Sequence, residues 1–336
     1  MVCGVIVVLL VASGCDGGDD PTVAVTPSPS PSPTPDPTCP LTGMDPPPEV
    51  DPERVAVAVK IEDSPLARPQ SGLEDADLVF EEIVEGGITR FMAIYHCNDV
   101  KQVGPVRSAR FDDPKLAYPF TRVLAFSGGN DIVEKELAAR KLFTIDEDDA
   151  DGGLYRIPPG VLEVHNLFGD TRKLRALAPA RLEPPKPDVF KFGELAEGHP
   201  KARRVTVNFT AGNTIEYRWE GKSWRRYEAG EPFFTEAGDQ IAVPNVLIQE
   251  VEVNHSPTIV DSAGNPSPDI RLTGSGRALL FRDGRVVKGK WTIRKELAPP
   301  KYTTKDGEPV VFAPGPIWIE LVPSKKGVVK GSFSFK

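Results

Sequence analysis

Hydrophobic spacing changes three times along the chain. Residues 1–14 (MVCGVIVVLLVASG) carry no charged side chain and hold an unbroken apolar run from Val5 to Ala12. From Asp16 to Thr38 apolar periodicity vanishes and proline alternates with Ser, Thr and Asp through TPSPSPSPTPDPT, a composition that favours extended polyproline II. Beyond it, Val55–Ile61 (VAVAVKI) predicts a buried strand, and residues 76–96 predict two strands around Gly86-Gly87. Asp112–Tyr118 predicts a short helix, Val123–Gly129 (VLAFSGG) a strand ending in glycines, and Asp131–Lys141 an amphipathic helix. After the Pro-rich interval 182–200, only short strand candidates follow, with all four tryptophans among them, and Asp283-Gly284 marks a tight hairpin. The expected fold is an α+β or α/β N-terminal domain (39–185) followed by a predominantly β C-terminal domain (200–336).

A two-residue turn at Gly86-Gly87 pairs Glu85 with Ile88, Ile83 with Arg90 and Glu81 with Met92. Period-two alternation then gathers Glu81, Glu85 and Arg90 on one face. Two carboxylates and a guanidinium beside a turn can bind a polar ligand or supply a general acid and base, with Glu81 and Glu85 the catalytic candidates. Downstream, Gly104-Pro105-Val106-Arg107-Ser108-Ala109-Arg110 fixes a turn and spaces Arg107 and Arg110 for one helix face, if a helix starts there. Guanidinium groups make bidentate contacts with carboxylate or phosphate, so Arg90, Arg107 and Arg110 are candidate ligand-binding residues. Of four histidines, His165, beside Asn166, is the candidate proton carrier, with Asn166 binding ligand or orienting it.

Charge and cysteine usage narrow the picture. A net charge of -8 disfavours a protein built mainly to bind nucleic acid. The apolar run is far shorter than the ~20 residues that cross a bilayer. Followed by Ala12-Ser13-Gly14 and then Cys15, it resembles a bacterial lipobox. That resemblance implies a signal peptide (1–14) and a lipidated Cys15 carrying acyl chains such as palmitate. Residues 15–38 then form a tether on the outer face of the cytoplasmic membrane. Cys39 and Cys97 would remain as two thiols in an oxidising compartment, able either to pair or to stay as separate buried thiols. No CxxC, Cys/His cluster or HExxH is present. The acidic loop 146–152 fails the EF-hand pattern, and TGSGR (273–277) fails both phosphate-loop and dinucleotide patterns, so no cofactor or metal is expected.

Several blocks together resemble the YerB-like lipoprotein family, described as a domain of unknown function. They are Cys39-Pro40-Leu41-Thr42-Gly43, Ala67–Gly72, Ala76-Asp77, Glu81, Glu85–Phe91, Gly104–Arg110, Gly128-Gly129 and His165-Asn166. Arg226, Asn245-Val246, Gly274–Gly276, Trp291, Pro314-Gly315 and Trp318 continue the resemblance into the second half. It implies an extracytoplasmic, lipid-anchored, two-domain protein and names no reaction. The leading expectation is an envelope lipoprotein whose Glu/Arg/His cleft binds a cell-wall component such as a glycan or stem-peptide fragment. One alternative is a peptidoglycan glycan-cleaving enzyme using a Glu general acid. Another is a structural or regulatory protein partner of wall-synthesis machinery.

Overall fold

The computed structural model describes residues 38–157 and 165–336. The leader, Cys15 and nearly all of the Pro-rich stretch therefore lie outside the described residues. Strands β1 (Val57–Glu62), β2 (Leu78–Ile83) and β3 (Thr89–Tyr95) are buried at every position, which explains their nearly continuous apolar sequences. β3 lies between β1 and β2, antiparallel to both. Short strands β4 (Val123–Ala125) and β5 (Phe143–Ile145) extend the sheet in parallel beyond β1.

On the far side of β2 the sheet continues with strands from the second half of the chain. Ile317–Pro323 runs parallel to β2, and the long strand Asn245–Val260 runs parallel to it in turn. Gly274–Arg282, Arg285–Ile293 and Lys301–Thr304 then complete an antiparallel run to the edge. One 11-stranded sheet thus threads both halves together. A second sheet, built on Arg204–Thr210, Asn213–Trp219 and Trp224–Glu228 with the C-terminal Ser332–Phe335, packs on one face of the first. Trp224 and Phe335 both meet Phe281 across that junction, and the strict in–out alternation of Arg204–Thr210 reflects a strand covered on one side.

The opposite face of β1–β3 is covered by α1 (Asp113–Ala117) and the loops around it, with Phe80 packed on Phe120. The helix α2 (Asp131–Ala139) is capped by the Asn130 side chain, which accepts from the N–H groups of Ile132 and Val133. Beyond β6 (Leu154–Arg156) and β7 (Leu167–Gly169), which pair with each other, α3 (Thr171–Ala176) is capped in the same way by Asp170. The first half mixes helix and strand and the second is almost wholly strand, the fold class read from the sequence.

The hairpin register differs from its expectation. The reversal is a three-residue 3-10 turn, Glu85–Gly87, with both glycines at positive φ and the Val84 N–H donating to the Ile88 carbonyl. One extra turn residue slips the pairing, so Glu82 faces Arg90 and Glu81 faces Phe91. A one-residue slip moves side chains to the opposite face. Glu81 therefore parts from Arg90 and from Glu85, and Glu82 takes the place expected for it. Arg107–Arg110 is likewise not helical; it crosses the sheet face as irregular chain ahead of α1. Cys39 is disulfide-bonded to Cys97, fastening the first described residues to the end of β3.

Candidate functional site

A cleft of about 420 Å³ opens on the α1 face of the sheet. Its floor carries Glu85, Arg90, Arg107 and Arg110, and one wall is the start of α2 at Gly129, Asn130 and Val133. The other wall comes from the second half of the chain, where Ile259–Ser262 and Ser267 reach over from the Asn245–Val260 strand and the one after it. Sequence reading missed this wall. The turn-forming DSAGNP stretch marks a hairpin, with Asp261 accepting from the N–H groups of Ala263 and Asn265, but nothing local says where the hairpin lands.

The charges are ordered from the floor upward. Arg90 is buried, donates to the Ser108 carbonyl at 2.9 Å and sits 3.9 Å from Glu62. Burial, together with the Arg110 and Arg107 charges, brings its pKa down to about 10 against the opposing pull of Glu62. Arg110 grips Glu85 through Nε and Nη2 at 2.7 and 2.6 Å, and Ser267 donates to the other oxygen of Glu85. Arg107 donates its Nε to Glu62 at 2.5 Å. Its terminal nitrogens have no protein acceptor among the described residues, and its side chain is 27% exposed. Arg107 thus has donors left over at the cleft surface, while the unpartnered Nε of Arg90 is buried beneath it.

Glu85 and, beneath the arginines, Glu62 are both held ionised. Burial pushes Glu85 upward, but the Arg110 charge and the Ser267 hydrogen bond outweigh it and leave its pKa below the usual value. Glu62 is lowered in the same way, with Arg90 and Arg107 overcoming burial. Proton donation near neutral pH needs a carboxyl raised toward neutrality, which is the reverse of this arrangement. As built, the floor stabilises negative charge and presents spare guanidinium donors.

The remaining candidates separate. His165 is close enough to Glu62 and Arg107 to feel both charges; burial is the main cause of its lowered pKa, so it is neutral near pH 7. Its Nδ1 is buried without a partner. Asn166 instead accepts from Arg156 Nη1 at 2.7 Å. Glu81 leaves the site altogether: on the opposite sheet face, fully buried, it accepts from Arg226 at 2.6 Å. The slipped hairpin register is the reason. Trp224, Trp291 and Trp318 are each at most 3% exposed and serve packing, and Trp219 packs on Trp224 with ring centroids 5.4 Å apart. Gly276 of TGSGR is needed for packing, because a Cβ there would lie 2.5 Å from Trp291 Nε1, which donates to the Glu250 carbonyl. Among the described residues no cluster of His, Cys, Asp and Glu is arranged to hold a metal ion.

Comparison with known proteins agrees with the two-part layout. Residues 41–183 match the N-terminal domain, and residues 205–319 the C-terminal domain, of the protein of unknown function DUF3048. The chain is 31% identical over 295 residues to the putative lipoprotein YerB of Bacillus subtilis (strain 168), covering 84% of this chain and 86% of that protein. The crystal structure of YerB protein from Bacillus subtilis matches with a TM-score of 0.71 and 28% sequence identity, over 88% of this chain and 98% of that one.

Proposed function

Given that this chain belongs to the YerB-like family, we propose that it is an extracytoplasmic lipoprotein whose arginine cleft binds a carboxylate-bearing stem-peptide fragment of the cell wall. In this reading Cys15 carries the lipid at the outer face of the cytoplasmic membrane, and residues 16–38 separate it from the folded body. The observation that carries the proposal is the free donor pair of Arg107 above a floor whose own carboxylates are already satisfied. A planar guanidinium with two unused terminal nitrogens matches a carboxylate bidentately. Ile259 and Val133 give the walls an apolar surface suited to small side chains of a peptide. A stem peptide therefore suits the site better than a neutral glycan, which would call for exposed aromatic faces.

The test is calorimetric titration with purified wall fragments whose stem carboxylates are either free or amidated. Arg107→Ala removes a charge-assisted hydrogen bond, about 1.5–3 kcal/mol, so affinity for the free-carboxylate fragment falls by roughly tenfold or more. Unchanged affinity in Arg107→Ala, or equal binding of the amidated fragment, rejects the assignment.

A further inference from the structure

Behind the cleft, and independent of its ligand, lies a lysine that the site does not use. Lys60 is in the middle of β1, fully buried, on the same sheet face as Met92 and Phe80. Its Nζ lies 2.7 Å from Asp113 Oδ1 at the start of α1 and also contacts Glu82 Oε1. All three side chains are at most 1% exposed. We propose that the folded protein joins Lys60 to Asp113 by an intramolecular amide bond, with Glu82 as the proton carrier.

Each group is placed for one role. Burial, with the Arg90 and Arg110 charges, brings Lys60 down to about 8 despite the opposing pull of Asp113, so the neutral, nucleophilic amine lies within reach. The 2.7 Å contact to Oδ1 places the amine beside the Asp113 carboxyl group. Oδ2, the oxygen on the other side, accepts the backbone N–H of Arg110 at 2.6 Å, a fixed donor for charge developing on oxygen during attack. Glu82 touches the amine through one oxygen, while its second oxygen is buried without any partner, leaving a site to receive and pass on a proton.

The chemistry closes on these groups alone. A proton passes from the Lys60 ammonium to Asp113 Oδ1 along their contact, the freed Nζ lone pair attacks Cγ, and Glu82 takes a second proton from Nζ and hands it to the departing hydroxyl. The C–N bond forms, the C–O bond breaks, one water leaves, and Glu82 ends as it began. The product replaces a buried cation and anion by a neutral amide, which removes two costly charges from a dry site. It also ties β1 to α1 across 53 residues of sequence, shrinking the unfolded ensemble as any long-range crosslink does.

Mass spectrometry of the full-length protein after disulfide reduction and trypsin digestion decides the matter. The expected result is a branched peptide containing both Lys60 and Asp113, lighter by one water than its two parts, with no cleavage after Lys60. A digest giving only linear peptides, with trypsin cutting after Lys60, overturns the proposal without recourse to any variant. Glu82→Gln keeps the shape of the side chain but loses the proton carrier, so its digest is expected to be linear at Lys60. A branched peptide persisting in Glu82→Gln overturns the role given to Glu82.

Discussion

Replacing Arg226 by methionine measures what the charge between the two sheets contributes. Arg226 is fully buried, donates from Nη1 to Glu81 at 2.6 Å and to the Tyr217 hydroxyl at 3.0 Å, and has Glu228, Glu320 and Asp63 at 3.5, 3.7 and 4.0 Å. Its guanidinium also lies over Phe233, Phe91 and Trp318, at 5.0, 5.2 and 5.3 Å from the ring centroids. Methionine fills much of the same volume among those rings but leaves the carboxyl groups without a cation. Breaking a buried pair from one side costs about 3–5 kcal/mol. With unfolding entropy near 2.1 cal/mol/K per residue over a body running from Pro37 to Lys336, that loss lowers Tm by about 5–8 °C at pH 7. The orphaned carboxyls would be protonated in the folded state, so the penalty shrinks as pH falls toward their unfolded pKa of about 4.3. Calorimetric scans of wild type and Arg226→Met at neutral and acid pH check both halves of this reasoning. A Tm within about 2 °C of wild type at pH 7, given the entropy above, or a penalty that grows on acidification, refutes it.

Two further outcomes concern the same body. Glu320 is held well above the usual carboxylate range by burial and the neighbouring Glu81 charge, and Asp63 by burial and Glu228. A raised carboxyl contributes stability that is complete below its unfolded pKa and is lost as pH rises through the folded value. Wild-type Tm should therefore fall from neutral to alkaline pH more steeply than that of Glu320→Gln; parallel Tm–pH curves would contradict the assignment. Replacing Cys39 and Cys97 together by serine opens a crosslink spanning 58 residues, a loss of about 4 kcal/mol by loop-closure entropy. That is about 6–7 °C in Tm for a chain of this length, and equal unfolding temperatures with and without the bond would show it to be energetically idle.

Much of the local structure was legible because strands buried on both faces read as apolar runs bounded by turn residues. VAVAVKI and LVFEEI could be little else, and the α2 helix announced itself through its spacing. What failed was one residue of turn geometry. Gly86-Gly87 fits a two-residue turn as well as the three-residue one adopted, and that choice alone sent Glu81 to the Arg226 cluster and Glu82 to Lys60. Lys60 and Arg226 went unassigned for a different reason. A cation inside a strand shows its importance only through partners brought from elsewhere, and Asp113, Glu81 and Glu320 are remote in sequence from the groups they meet. The cleft arginines were found because Arg107 and Arg110 lie in one short block and Arg90 beside the Gly86-Gly87 turn, whereas the hairpin wall over them depended on long-range pairing that no periodicity encodes.

The parallel neighbour of β2 is Ile317–Pro323, close to the end of the chain. Synthesis proceeds from the N-terminus, so β1–β3 emerge long before that neighbour exists, leaving β2 with one row of amide and carbonyl groups open to any stray chain. Assembly of the centre must wait for that distant strand, and pairing across so long a stretch of sequence is the kind that slows folding. A chain stopped before Ile317 lacks the strand that pairs with β2 and is expected to aggregate rather than fold.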